Sequence, residues 1–175
     1  FPLSAEKPEK DPYCEVYSAG MRVGYRSGKA AKYPFGFGLS YAKFVYSNLY
    51  INEKGAAFDL TNVGAVRGAE AVQMYVRFPD GANAPFKQLK GFDKILLSPG
   101  EARQVFIPFD EYTFRAYDAI KNKWVKVAGK YEIMIGASSE DIRLSRHIET
   151  AGDSAFVPAP DVSSLKPAEY PVQRD

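Results

Sequence analysis

From residue 41 onward, apolar residues recur at every second position through most of the chain, which is the period of a half-buried strand. Val45, Leu49 and Ile51 are assigned to one face of a first strand, with Phe44, Tyr46 and Tyr50 on the other. Asn52-Glu53-Lys54-Gly55 carries a turn signal, after which Ala56, Phe58 and Leu60 alternate with Ala57, Asp59 and Thr61. Residues 69–78 make the clearest strand, with Val72, Met74 and Val76 on an apolar face and Gln73, Tyr75 and Arg77 opposite. Residues 88–97 predict another, in which Gly91 marks a bulge or a close backbone approach. Ser98-Pro99-Gly100-Glu101 suits a type II turn, because Pro99 presets φ at the second position and Gly100 tolerates positive φ at the third. Val105, Ile107 and Phe109 point inward from the strand that follows. Residues 112–127 predict a hairpin around Lys121-Asn122-Lys123 that carries the sole tryptophan, Trp124. Tyr131, Ile133 and Ile135 share one side of a strand over 130–137, and 142–148 is the last. Seven or eight short strands with turns between them, no convincing helix and no internal repeat predict an antiparallel β-sandwich.

The two ends lack this period. Pro2, Pro8 and Pro12 argue against a helix at the start, and weak alternation near Val23 and Tyr25 predicts a short strand over 22–26 in otherwise extended chain. The tail from 151 to 175 holds Pro158, Pro160, Pro167 and Pro171 and has no period. Between the first strap and the alternating region lies Lys32-Tyr33-Pro34-Phe35-Gly36-Phe37-Gly38-Leu39-Ser40-Tyr41-Ala42-Lys43-Phe44, which crowds aromatic rings, glycines and a proline into one span.

Composition narrows the function classes. Net charge is +2, from 23 basic and 21 acidic side chains, which is too balanced for a nucleic-acid partner or an anionic membrane surface. No apolar run has the length of a membrane span. One cysteine, Cys14, excludes an internal disulfide, and with His147 the only histidine neither a Cys/His zinc site nor a Cys nucleophile with its base is expected. No metal and no cofactor is expected. The chain starts at Phe1 without a methionine or a signal pattern, so it is expected to be a trimmed or excised piece of something longer. A secreted or periplasmic setting is favoured over a cytoplasmic one.

The candidate chemistry is correspondingly thin. Glu15, Glu70, Asp93, Asp110, Glu111 and Asp118 read as solvated or ion-paired carboxylates, since a catalytic carboxylate pair needs a shared pocket that a small sandwich does not supply. Lys87, Lys90, Lys94, Arg103, Lys121, Lys123 and Lys126 read as a solvated face that protects edge strands. Tyr25, Tyr33, Phe35, Phe37, Tyr41 and Trp124 are the site candidates: they stack on sugar rings or seal an interface. Gly36 and Gly38 read as permits for a tight backbone crossing rather than as a phosphate cradle.

Four stretches, in order, resemble one family. Arg67-Gly68-Ala69-Glu70-Ala71-Val72-Gln73-Met74-Tyr75-Val76 looks like the G-A-E-V-V-Q-L-Y-V strand of the fibronectin type III-like domain that ends many glycoside hydrolases of family 3. Pro85-Phe86-Lys87-Gln88-Leu89-Lys90-Gly91-Phe92-Asp93-Lys94-Ile95, Leu97-Ser98-Pro99-Gly100-Glu101 and Gly129-Lys130-Tyr131 through Ser138-Ser139-Glu140-Asp141-Ile142 resemble its later motifs. The 32–44 stretch is similar to the family's F-P-F-G-x-G-L-S-Y junction. Tyr17 to Arg26 looks like Y-x-E-G-i-x-v-G-Y-R, with Ala19 departing from the usual Glu.

The resemblance implies an immunoglobulin-like, fibronectin type III-like sandwich over 40–150, a linker from a missing α/β sandwich domain over 1–39, and an irregular tail over 151–175. It also implies a parent β-glucosidase or related exo-acting β-glycosidase that works by retention, with its nucleophile on a barrel domain and its acid/base on the middle domain. Neither domain lies in this chain, so no catalytic residue is carried over. The resemblance places the 32–44 stretch at a domain junction, which implies an interdomain interface rather than sugar binding for the aromatic candidates. The expected role is structural, with the barrel and α/β sandwich domains as partners, fused or as a separate chain. The alternative is an autonomous carbohydrate-binding or adhesion module that holds a β-linked glucan or oligosaccharide on exposed aromatics.

Overall fold

The structure is a computed structural model that describes residues 23–80, 82, 84–85, 87–118 and 121–153. Cys14, Glu15, Ala19 and the proline-bearing ends lie outside the described residues.

Among the described residues nine strands run β1 (Phe44–Asn52), β2 (Gly55–Asn62), β3 (Gly68–Arg77), β4 (Gln88–Leu97), β5 (Ala102–Pro108), β6 (Arg115–Asp118), β7 (Lys123–Lys126), β8 (Gly129–Gly136) and β9 (Ile142–Thr150). One sheet has the order β1-β2-β5, a second β4-β3-β8-β9, and β6-β7 form a separate hairpin. All pairings are antiparallel. The two larger sheets pack face to face, so the predicted sandwich is the fold.

The core comes from the alternation. Phe58, Leu60, Val105 and Ile107 on one sheet meet Val72, Met74, Val76, Ile133 and Ile135 on the other. Burying each of these large side chains contributes about 1.5–3 kcal/mol relative to exposure. Gly91 allows the sheets to close, because a Cβ there would sit 2.5 Å from Ile107 Cγ2. The β3–β4 register also shifts between Met74 and Tyr75, so Gly91 serves a close approach beside a bulge. Gly100 takes φ +76 and Glu101 N–H donates to Ser98 O at 3.0 Å, as the type II turn requires.

Two buried polar side chains fasten the ends. Asn62 is fully buried at the end of β2, where Nδ2 donates to Val66 O and Leu97 O and Oδ1 accepts from Gly64 N–H. It joins the two sheets by hydrogen bonds in place of lost water. At the other end, the Tyr131 hydroxyl lies 2.7 Å from Val127 O and 3.0 Å from Phe114 O, and burial pushes its pKa up to about 12.

Two elements depart from expectation. In β1, Phe44 and Tyr46 are buried as one face, but the register shifts between Ser47 and Tyr50, with Asn48 at φ 56. The bulge swaps the faces, so Leu49 and Ile51 pack on the core and Tyr50 is exposed. The short strand predicted over 22–26 is a 3-10 turn at Gly24–Ser27, because Gly24 and Gly28 both take positive φ and bend the chain back.

Candidate functional site

The strap from residue 23 to 43 crosses the outer face of the four-stranded sheet. Tyr25 stacks on Phe35 at 4.5 Å and meets the buried Tyr75 edge-on at 6.0 Å, and its hydroxyl accepts from Leu89 N–H. Pro34-Phe35-Gly36-Phe37 forms a tight turn, with Phe37 N–H donating to Pro34 O at 3.0 Å and Gly36 at φ +79. Positive φ at the third position is the type II geometry that selects glycine.

Gln73 of β3 holds this turn. Its Nε2 donates to Gly36 O at 3.1 Å and to Ala137 O at 2.9 Å, and its Oε1 accepts from the Tyr75 hydroxyl. A Cβ on Gly36 would fall 2.0 Å from Gln73 Oε1, so any side chain there would have to displace Gln73 from the turn. Ser139 N–H donates to Phe35 O at 2.8 Å, which ties the strap to the β8–β9 loop. Lys87, buried, donates from Nζ to Ser139 O and lies 3.5 Å from Glu140 Oε1, which in turn fixes that loop.

Beyond the turn, residues 37–43 and the ends of β3 and β9 border a groove of about 1270 Å³. Phe37, Leu39 and Tyr41 line one side, with Glu70, Lys94 and Arg143 among the polar residues. Glu70 Oε1 accepts from the Tyr46 hydroxyl at 2.9 Å. Burial raises the Glu70 pKa, opposed by that hydrogen bond and by Arg143. Burial and the Glu70 charge together raise the Tyr46 hydroxyl far above its ordinary value. Arg143 is held by both carboxylate oxygens of Asp141 and lies 6.0 Å from the Tyr46 ring centroid. No group of three or more His, Cys, Asp or Glu side chains able to hold a metal occurs among the described residues.

The six sequence candidates do not form one surface. Tyr25 and Phe35 stack on each other above the sheet, and Tyr33 and Phe37 pair at 6.0 Å beside them. Tyr41 stands almost fully free, 96% exposed, and Leu39 is 83% exposed. Trp124 belongs to the β6–β7 hairpin, with Tyr112 and Tyr117 at its sides. Gly38, unlike Gly36, has open space around it and no positive φ.

Among the carboxylates, Asp110 caps a turn through Tyr112 N–H and the Thr113 hydroxyl, Asp118 is buried against Lys121, and Asp93 accepts from Lys94 N–H. Lys87 was expected on a solvated face and is instead buried, because its ammonium satisfies the loop carbonyl at Ser139. His147 is exposed. The Gln73 clamp and the Glu70–Tyr46 pair were missed. The one sequence signal for Gln73 was its place opposite the apolar face of β3, and alternation alone does not say that this outer face is covered.

Comparisons with known proteins agree with this geometry. Residues 70–139 match the fibronectin type III-like domain family. The probable β-glucosidase K of Emericella nidulans is 39% identical over 141 residues, 77% of this chain and 17% of that protein. An exo-α-(1→6)-L-arabinopyranosidase of Bifidobacterium longum is 38% identical over 159 residues, 85% of this chain and 21% of that protein. The crystal structure of a Bifidobacterium adolescentis GH3 β-glucosidase superposes with TM-score 0.74 at 35% identity, covering 83% of this chain and 23% of that one. The chain thus spans about a fifth of the length of these relatives. It carries the fibronectin type III-like domain of the family 3 β-glucosidases.

Proposed function

We propose that this domain is a non-catalytic structural part of an exo-acting β-glycosidase of the β-glucosidase type, which docks on and stabilises the enzyme's barrel and α/β sandwich domains. In this reading residues 1–39 lead out of the α/β sandwich domain, 40–150 form the docking sandwich and 151–175 are a tail. The observation that carries it is the apolar rim of the groove. Phe37, Leu39 and Tyr41 on the rim, and Tyr33 beside Phe37, are exposed, yet the backbone that presents them is pinned through Gly36 and Phe35. An apolar surface that is held in place and uncovered marks an interaction site. Ordering it in advance lowers the entropy cost of docking.

The relatives named as β-glucosidases are roughly four times the length of this chain, since 77% of it covers 17% of one and 83% covers 23% of the other, which supports further domains as the partner. The test has two arms. The chain alone is incubated with an aryl β-glucoside, and no turnover above buffer is expected. The chain is then mixed with the barrel and α/β sandwich domains of the same enzyme, and association is followed by calorimetry. Robust turnover by the chain alone, or no association, overturns the reading.

A further inference from the structure

Tyr112, Tyr117 and Trp124 form a second aromatic cluster, at the opposite end of the sandwich from the groove. The groove takes Gly68–Ala71 from the start of β3, whereas the hairpin packs through Phe114 on Tyr131 and Phe78, just beyond the end of β3. The 10 residues of β3 separate the two by ~30 Å at a strand rise of ~3.3 Å. We infer that this cluster of mutually inclined rings binds a short β-linked, all-equatorial oligosaccharide.

The cluster is built and held. Tyr117 lies directly opposite Trp124 in the hairpin register, and Tyr112 approaches from the preceding turn. The indole sits 5.3 Å from the Tyr112 ring and 5.6 Å from the Tyr117 ring, inclined to them at 69° and 70°. The inner side of the hairpin, Ala116 and Val125, is buried, so the outer side is fixed rather than frayed. Arg115 reaches Trp124 O at 3.4 Å and pairs with Asp153, and Lys90 Nζ donates to Tyr112 O at 2.7 Å.

Area decides between a protein and a small ligand. The rings are 42%, 44% and 48% exposed, which leaves roughly 200–330 Å² between them if each side chain spans ~150–250 Å². A stable protein interface takes about 800 Å² from each partner, so the three rings alone do not make one. Their area suits a short stretch of sugar. A pyranose with equatorial hydroxyls presents flat C–H faces to aromatic planes and hydroxyls around its edge. Polar groups lie beside the rings to meet them: the Tyr117 hydroxyl, which donates to Asn122 Oδ1, and the exposed Asn122 amide. Tyrosine and tryptophan also supply such contact area at low conformational cost. The all-equatorial configuration follows from the flat C–H faces that aromatic rings select, and the β-linkage rests on the proposed β-glucosidase context.

The test uses the whole chain and its single tryptophan. Cellohexaose, xylohexaose and β-mannohexaose are titrated while Trp124 emission is followed, and calorimetry repeats the series on Trp124→Ala, Tyr112→Ala and Phe37→Ala, each checked for an unchanged circular dichroism spectrum. Saturable binding of cellohexaose and xylohexaose is expected, at least tenfold weaker in Trp124→Ala and Tyr112→Ala and unchanged in Phe37→Ala. β-Mannohexaose, whose axial O2 interrupts one face, is expected to bind several-fold more weakly. Flat titrations, binding that survives Trp124→Ala, equal binding of β-mannohexaose, or loss in Phe37→Ala overturns the inference. The domain-docking test reads different residues and a different partner, so either proposal can fail without the other.

Discussion

Val72, Met74 and Val76 on the inner face of β3 and Gln73 and Tyr75 on its outer face are all buried, but different things hide them. The inner face is covered by the opposing sheet, apolar against apolar. The outer face is covered by the strap, through one ring stack and a few directional hydrogen bonds centred on Gln73. The inner contact is broad and tolerant in detail, whereas the outer one depends on single atoms. The first holds the domain together, and the second sets where an exposed apolar rim stands.

The largest expected effect breaks the inner side. Phe58→Ala empties a fully buried site between the sheets and should destabilise the whole domain by about 3–5 kcal/mol, read from the denaturant midpoint. A loss below ~1 kcal/mol would mean that the sheets do not depend on this contact. Next, Gly36→Ala attacks the outer side. It forces a side chain into positive φ, at a cost of about 1–2 kcal/mol, and drives a Cβ into Gln73 Oε1. The strap should detach while the sandwich stays folded. Hydrogen exchange would show faster loss at Ser139 N–H, which donates to Phe35 O, and little change at the β3–β8 ladder. Equal acceleration at both would show that the strap and sandwich are one cooperative unit.

A smaller effect concerns pH. Burial holds the Glu70 pKa above its unfolded value, so between the two values the folded state binds more protons and stability falls as pH rises through that window. Glu70→Gln removes this penalty. The variant should be more stable than the parent at pH 7, by no more than ~1 kcal/mol because Glu70 is only partly buried, and the gap should close below the unfolded value of ~4.3. A variant less stable at pH 7 would show that the Tyr46 hydrogen bond outweighs burial.

The same contrast explains what could be read from the sequence. The inner face follows a local rule, alternation with period 2, so Phe58, Val72, Met74, Val105, Ile133 and the turn at Gly100 were legible one strand at a time. Where the rule is interrupted the reading failed: a bulge at Asn48 reverses β1, and two positive-φ glycines turn the 22–26 strand into a 3-10 turn. The outer face follows no local rule. The contact of Gln73 with Gly36 spans 37 residues and that with Ala137 spans 64, so no pattern along the chain announces them. The aromatic candidates were found by type, but their division between junction and hairpin needed the sheet order. Lys87 was misplaced for a related reason: lysine is charged, and the buried carbonyl it meets, Ser139 O, lies 52 residues away.

The most direct measurement concerns the rim that the strap presents. Phe37→Ala with Tyr41→Ala removes two exposed rings without touching Gln73 or the core. Stability of the chain and affinity for the barrel and α/β sandwich domains of the same enzyme are measured on the double variant. The account predicts a denaturation free energy within about 0.5 kcal/mol of the parent, as for exposed sites, and docking weakened at least tenfold. Unchanged docking, or a domain that loses several kcal/mol of stability, would contradict it, since the rings would then be idle surface or part of the core.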